Sequence, residues 1–176
     1  EQDSIDQMVA TTKEHFGRID IHTKGLDVLL SAFARIAPEY PQLELKLAGR
    51  GSAEQLAKVR DLVRREGVEG RVEVVGAVDD ETQGELLRRA LMVCMPSRYE
   101  GWGMVAVEAA AVGKAVLGTD ISGLRDAVRD GETGLLVPAG DVVALAEGMR
   151  SLLADDERRQ RLGNQGREWA RCFDWN

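Results

Sequence analysis

The sequence lacks any apolar run that approaches the ~18 residues a membrane-spanning helix needs. Hydrophobic residues make up 44% and charged residues 30% of the chain, so we expect a soluble domain. Basic residues are also in short supply, because 23 Lys and Arg against 30 Asp and Glu give a net charge of -7. Nucleic-acid phosphates require a basic surface. Nucleic acid is therefore excluded as the main partner, and any phosphate must be bound locally.

Cysteine is scarce as well. Cys94 and Cys172 lack the spacing of a metal site or a disulfide framework, which favours a reducing, cytoplasmic setting. The chain begins with Glu1 and shows no signal sequence, so we expect it to be a fragment. Its 176 residues favour a single domain. We predict an irregular segment over residues 1–16, at the cut end, and one folded domain over residues 17–176.

From Gly25 onward, short apolar runs alternate with amphipathic runs of helix length. The predicted strands are Leu43–Ala48, Arg71–Val75, Leu91–Met95, Ala115–Gly118 and Gly134–Val137. The predicted helices are Gly25–Ile36, Ala53–Arg65, Asp80–Ala90, Met104–Val112, Arg125–Arg129 and Val142–Leu153. This order predicts an α/β fold, a Rossmann-like doubly wound parallel sheet with helices on both faces.

Both ends of the sequence are less regular. We predict a short helix over Ser4–Lys13 and the remnant of a first strand at Phe16. At the other end, Asp156–Cys172 has the pattern of a charged outer helix that is broken or bent near Gly163 and Gly166.

The run from Pro96 to Gly103 contains the strongest candidate site. It follows a buried strand and leads into a helix, and ligands of open parallel sheets bind at such strand ends. Gly101 and Gly103 would let the backbone approach a ligand, and the helix start favours an anion such as phosphate. Glycines at such turns also serve tight packing, and the sequence leaves both roles open.

Glu108 is the one ionisable residue within Met104–Val112, a run whose composition predicts a helix buried on all sides. A buried carboxylate needs a partner, since an unpaired polar group costs ~1–3 kcal/mol and a charge more. Lys114 is one candidate partner, and ligand hydroxyls, which we favour, are the other. Glu100 lies eight residues earlier, or ~12 Å along a helix, comparable to the span of a sugar nucleotide.

Three further segments follow strand ends or precede a helix. Arg18 and Lys24 suit a diphosphate, because Arg can contact two oxygens and Lys supplies a point charge. The loops that contain Gly51, and Gly76 with Val78, could border a flat nucleobase. Taken separately, each segment is better explained as ordinary surface charges or connecting loops.

Together these residues resemble a known family. The ordered set Gly-Arg…Lys-Gly, Ala-Gly-x-Gly, Pro-Ser…Glu-Gly-Trp-Gly, a second Glu eight residues on, and Gly-x-x-Gly-Leu-Leu-Val is similar to the large family of retaining glycosyltransferases with the GT-B fold. The resemblance runs from about Gly17 to Trp175 and implies that residues 17–176 form the nucleotide-sugar-binding domain.

The resemblance also implies roles for individual residues. Glu100 would contact the transferred sugar and Glu108 the ribose hydroxyls, while Arg18 and Lys24 would hold the diphosphate. The backbone of the glycine turn and helix start would contact phosphate, and the two loops would border the base. The resemblance places the phosphate contacts at Gly103, Met104 and Val105 and the base beside Val78 and its neighbours. Further candidate substrate-binding residues are Gly101 and Trp102 in the turn and Gly51 and Gly76 in the loops. No metal or other cofactor is implied, because the basic pair would neutralise the leaving group.

The chain departs from the family pattern in three respects. Polar residues replace the apolar strand that usually precedes Gly17, Asp126 stands where glutamate is commoner, and the N-terminal Rossmann-like acceptor domain is absent. We therefore expect donor binding with little or no transfer activity, and any peripheral membrane association through the missing half. An epimerase or phosphorylase of the same architecture, or a non-enzymatic doubly wound regulatory module, are the alternative interpretations.

Overall fold

The computed structural model describes the backbone of residues 7–11 and all atoms of residues 25–173. In this part of the chain there are six strands: β1 (Gln7–Thr11), β2 (Glu44–Ala48), β3 (Val72–Gly76), β4 (Met92–Met95), β5 (Ala115–Thr119) and β6 (Gly134–Val137). The same residues include seven helices: α1 (Leu26–Ile36), α2 (Ala53–Arg65), α3 (Asp80–Arg89), α4 (Met104–Ala111), α5 (Ser122–Arg125), α6 (Val142–Ala154) and α7 (Asp156–Ala170).

The six strands form one sheet in the order β3-β2-β1-β4-β5-β6. β2 pairs with β3 in parallel, and β4, β5 and β6 are parallel to one another. β1 lies between the two halves and is antiparallel to both β2 and β4. Strands β2 to β6 therefore run in one direction, and their carboxyl ends meet at one edge of the sheet.

Apolar side chains cover both faces of the sheet. On β4, Met92 and Cys94 join the core cluster formed with α1, α2 and α6, whereas Val93 and Met95 join the cluster formed with α3 and α4. Alternation of this kind is expected when a strand is buried on both sides. The predicted doubly wound fold with helices on both faces is confirmed, and no helix among the described residues is long and apolar enough to span a membrane.

The prediction for the N-terminal segment is corrected in part. Gln7–Thr11 is a strand, so the predicted helix Ser4–Lys13 is wrong for these five residues, and the strand at Phe16 lies outside the described residues. The sheet is consequently mixed rather than wholly parallel. The backbone groups of β2 and β4 that face each other need hydrogen-bond partners, and β1 pairs with both strands.

The predictions for helices α5 and α7 are corrected. The short helix α5 covers Ser122–Arg125 rather than Arg125–Arg129, because the chain turns at Asp126 and the amide of Arg129 donates to Thr133 Oγ1. Helix α7 runs unbroken through Gly163 and Gly166. A Cβ atom at Gly163 would lie 2.1 Å from the carbonyl oxygen of Gly113, so this glycine permits close packing and does not break the helix.

The two cysteines are free thiols, Cys94 buried in β4 and Cys172 exposed after α7. Burial raises the pKa of the Cys94 thiol to about 12, because a thiolate in an apolar core loses its hydration. Cys94 is therefore a core side chain and not a reactive thiol at neutral pH.

Substitution Gly163→Ala tests the close approach of α7. We expect a loss of about 1–3 kcal/mol in the free energy of unfolding, because the added methyl group overlaps the Gly113 carbonyl. Gly84→Ala within α3 is the matched control. Its Cβ would meet only the flexible end of Arg88, and we expect a gain of up to about 1 kcal/mol from helix propensity. Urea denaturation of both variants measures the difference, and equal stability would contradict the packing role.

Candidate functional site

The loops that follow β2, β3, β4 and β5 converge at the carboxyl edge of the sheet. The loops after β2 and β3 are joined directly, since the amide of Gly49 donates to the carbonyl oxygen of Gly76 at 2.7 Å. The loop after β5 contacts the turn after β4, since the amide of Gly103 donates to the carbonyl oxygen of Gly123 at 2.9 Å. This edge is where an open α/β sheet binds its ligands.

Hydrogen bonds from two buried hydroxyl groups stabilise the turn between β4 and α4, residues 96–103. Thr119, at the end of β5, is buried and its hydroxyl donates to the carbonyl oxygen of Ser97. Ser97 is buried too, and its hydroxyl lies 3.4 Å from Glu100 Oε2, to which it donates. The half-buried Glu100 carboxylate is thus reached by a hydroxyl from within its own turn.

Two glycines allow neighbouring segments to touch this turn. A Cβ at Gly25 would lie 2.0 Å from the carbonyl oxygen of Pro96, and one at Gly123 would lie 2.1 Å from that of Glu100. Gly25 also has φ of 104°, in the left-handed region that favours glycine. The start of α1 and the start of α5 therefore both pack on the backbone of the turn.

The two glycines of the turn itself have different surroundings. A Cβ at Gly103 would lie 2.7 Å from Leu124 Cδ2, whereas nothing lies within 4 Å of one at Gly101. The amide of Met104 donates to the carbonyl oxygen of Trp102 at 2.8 Å. Gly103 hence serves packing and Gly101 borders open space, and the amides of Gly103 and Met104 already have acceptors within the protein.

Glu108 does not lie in a dry interior. Helix α4 is buried at Val105, Ala106, Val107, Ala109 and Ala110, but Met104, Glu108 and Ala111 form a stripe open to solvent. The prediction that this helix is buried on all sides is therefore wrong along that stripe. Burial depends on which neighbours cover the helix, and α3 and α7 leave a strip between them.

The carboxylate of Glu108 accepts a hydrogen bond from Gln83 Nε2 in α3. Lys114 lies in a different environment, where burial first, and then the charges of Arg159 and Arg167, lower the pKa of its amine. The hydrogen bond from Gln83 makes α3 part of the candidate site. No signal in the sequence distinguished Gln83 from other polar residues of an amphipathic helix.

The remaining predicted residues lie at the same edge or outside the described part of the chain. Gly76, with φ of 81°, ends β3 and has open space at its Cβ position. Val78 is half-buried after it, and Gly51 is exposed in the loop after β2. Arg18 and Lys24 lie outside the described residues. Gly25, the residue after Lys24, lies against Pro96 as described above.

Aromatic contacts join the turn to the C-terminal end of α7, which the sequence analysis missed. The rings of Trp102 and Phe173 meet edge to face with centroids 5.3 Å apart, and Phe173 meets Trp169 in the same manner at 5.1 Å. Arg129 lies over the Trp169 ring. Edge-to-face pairs of this kind stabilise a packed arrangement beyond the area they bury.

A groove of about 560 Å³ runs between α4 and α7 and includes Met104, Glu108, Arg167 and Phe173 in its walls. Neither Glu100 nor the loops after β2 and β3 line it. Of the two candidate glutamates, Glu108 lines this groove and Glu100 does not, so the groove is distinct from the turn that contains Glu100 and from the loops after β2 and β3.

Comparison with known proteins identifies the class. The family model of glycosyl transferases group 1 matches residues 15–169, and this chain belongs to that family. Phosphatidyl-myo-inositol mannosyltransferase of Mycobacterium leprae is 37% identical over 161 residues, which cover 91% of this chain and 42% of that protein. The chain thus spans about two-fifths of the length of this relative.

Solved structures agree with this result. Sucrose-phosphate synthase from Thermosynechococcus elongatus superposes with a TM-score of 0.82 at 35% identity, covering 90% of this chain and 41% of that one. The Anabaena protein Alr3699/HepE, in complex with UDP and glucose, has a TM-score of 0.75 at 26% identity, covering 84% of this chain and 40% of that one.

Substitutions at the two glycines of the turn test their separate roles. We expect Gly103→Ala to lower the free energy of unfolding by about 1–3 kcal/mol, because the methyl group overlaps Leu124. We expect Gly101→Ala to change it by less than about 0.5 kcal/mol, since its Cβ meets open space. Thermal unfolding of both variants provides the measurement. A destabilised Gly101→Ala variant beside an unaffected Gly103→Ala variant would reverse the assignment.

Proposed function

We propose that this chain is the nucleotide-sugar-binding part of a retaining glycosyltransferase that transfers a hexose from a nucleoside diphosphate sugar to a lipid, glycan or small-molecule acceptor. The observation that carries the proposal is the placement of Glu108. It is the ionisable residue of α4, it lies on the solvent-open stripe of that helix, and its carboxylate contacts α3. Membership of the family and the UDP and glucose bound to the Anabaena relative support the same ligand class.

The nucleoside end of the donor is assigned to the loops and to α4. Glu108 accepts hydrogen bonds from the ribose hydroxyls, as carboxylates do from vicinal diols. The backbone around Gly51, Gly76 and Val78 borders the base, where open space at Gly76 admits a flat ring. Because backbone and small apolar groups form this border, the base is chosen by shape and by main-chain hydrogen bonds.

The reacting end is assigned to the turn between β4 and α4. Glu100 contacts the transferred hexose, and the diphosphate lies along the backbone from Gly101 to Val105. In the transfer, the bond between the anomeric carbon and the diphosphate oxygen breaks. The acceptor oxygen bonds to the same face of that carbon, and its proton passes to an oxygen of the departing diphosphate. Arg18 and Lys24 stabilise the negative charge that develops on the departing diphosphate. On this proposal no metal ion is required.

We assign the acceptor site to a separate N-terminal Rossmann-like domain, since the match covers 42% of the mycobacterial relative. We therefore propose that the chain binds donor with little or no transfer activity by itself. A cytoplasmic location for the whole protein, and any peripheral contact with a membrane through that other domain, belong to the same proposal.

Calorimetric titration of the chain with UDP, GDP, ADP and their glucose and mannose conjugates tests donor binding. We expect a dissociation constant of roughly 10 μM to 1 mM, about -7 to -4 kcal/mol, for the diphosphates of one base. The variants Arg18→Ala and Glu108→Ala should weaken binding at least about tenfold, a loss of about 1.4 kcal/mol, with an unchanged melting temperature.

Glu69→Ala provides the matched control, because Glu69 is an exposed carboxylate in the turn between α2 and β3. We expect it to bind like the unaltered chain. The proposal fails if no nucleotide binds the folded chain, or if Glu108→Ala lowers the melting temperature while the dissociation constant stays the same.

A further inference from the structure

The start of α3 is fixed by its cap. Asp79 Oδ1 accepts a hydrogen bond from the amide of Thr82 at 2.8 Å, and the carbonyl oxygen of Asp79 accepts one from the amide of Gln83 at 2.9 Å. The hydrogen bond from Thr82 lowers the pKa of the Asp79 carboxyl, so the cap stays ionised at neutral pH. An N-cap of this kind sets where the helix begins and hence which side chains face its neighbours.

One stripe of α3 faces α4. Gln83 and Leu87 are four residues apart, a spacing that places them on one face of α3, and Ala90 directly follows the last residue of the helix. Leu87 and Ala90 are buried in the same apolar cluster as Val107 and Ala110. Gln83 occupies the position of this stripe nearest the carboxyl edge of the sheet. Its amide is therefore placed where the apolar contact between α3 and α4 gives way to the candidate site.

The contact between α3 and α4 at the candidate site is a hydrogen bond from a neutral amide to a carboxylate. Gln83 Nε2 donates to Glu108 Oε2, and this bond uses one of the roughly four acceptor positions of a carboxylate. An amide does this without carrying charge, whereas a lysine or arginine would neutralise the carboxylate. A hydrogen bond from an uncharged amide does not cancel the charge of the carboxylate, and hydrogen bonds from hydroxyl donors to a charged acceptor are stronger than those to a neutral one.

From these contacts we infer that Gln83 is a positioning residue, which fixes the Glu108 carboxylate in the orientation that receives the vicinal hydroxyls of a ribose. The inference rests on the proposed function, since it requires that Glu108 bind the ribose. A carboxylate already held by Gln83 loses less conformational freedom on binding than a freely rotating one. The same hydrogen bond would exist if Gln83 only joined α3 to α4, so the test must separate these two roles.

The test compares ribonucleotides with nucleotides that lack the hydroxyls. UDP, GDP and ADP and their 2′,3′-dideoxy counterparts are titrated into the unaltered chain, Gln83→Met, Gln83→Glu and Glu108→Ala. Methionine keeps the length of the side chain and removes the hydrogen bond, while glutamate places a second carboxylate beside Glu108. Gln160→Met in α7 is the matched control, because Gln160 is exposed on the second half of the fold.

The unaltered chain should bind the ribonucleotide more tightly than its dideoxy form, and Glu108→Ala should abolish that preference. Gln83→Met should bind the ribonucleotide roughly three- to tenfold more weakly and the dideoxy form as before. Gln83→Glu should lose more of the preference, because two adjacent carboxylates repel each other. Gln160→Met should behave like the unaltered chain with both ligands.

Two other sets of results would overturn the positioning role of Gln83. If Gln83→Met weakens both ligands equally, or weakens neither, while Glu108→Ala removes the preference, the proposed function stands and the positioning role is overturned. If the unaltered chain shows no preference for the ribonucleotide, or binds no nucleotide, the ribose role of Glu108 fails and the inference fails with it.

Discussion

The contact of backbone with backbone at the turn between β4 and α4 is the constraint on which the rest of the site depends. The turn has no regular structure of its own, and its shape is set by two neighbours that approach more closely than any side chain would allow. Gly25 and Gly123 touch the carbonyl oxygens of Pro96 and Glu100, and Thr119 holds Ser97 from beneath. Glu100 can have a fixed position only because these contacts surround it.

Strands β4 and β5 were predictable because they are buried on both faces and so consist of short apolar runs. Strands β2, β3 and β6 are partly buried, and their short apolar runs were recognisable between turns and charged residues. The boundaries of β6 and α2 were predicted to the residue. The strand Gln7–Thr11 was not predictable from its own pattern, because its position is determined by backbone pairing with β2 and β4. The unbroken α7 shows a similar limit, since Gly163 and Gly166 are explained by the surface against which they pack.

Some features of the candidate site were likewise predictable from the sequence, and others were not. The paired glutamates and the strand-end loops were found from spacing and residue type, and the structure brings the loops to one edge of the sheet. The exposure of Glu108, the packing role of Gly103 and the contribution of Gln83 depend on how α3, α4 and α5 are placed relative to one another. Spacing within one helix carries no information about such placement, so these features required the structure.

The contact of Trp102 with Phe173 joins two parts of the chain that are far apart in sequence. One ring belongs to the turn that contains Glu100. The other follows α7 and meets Trp169 edge to face, while Arg129 lies over the Trp169 ring. Helix α7 is also seated against Gly113 through Gly163. Movement of the C-terminal end of α7 would therefore be transmitted to the turn through three aromatic rings in contact.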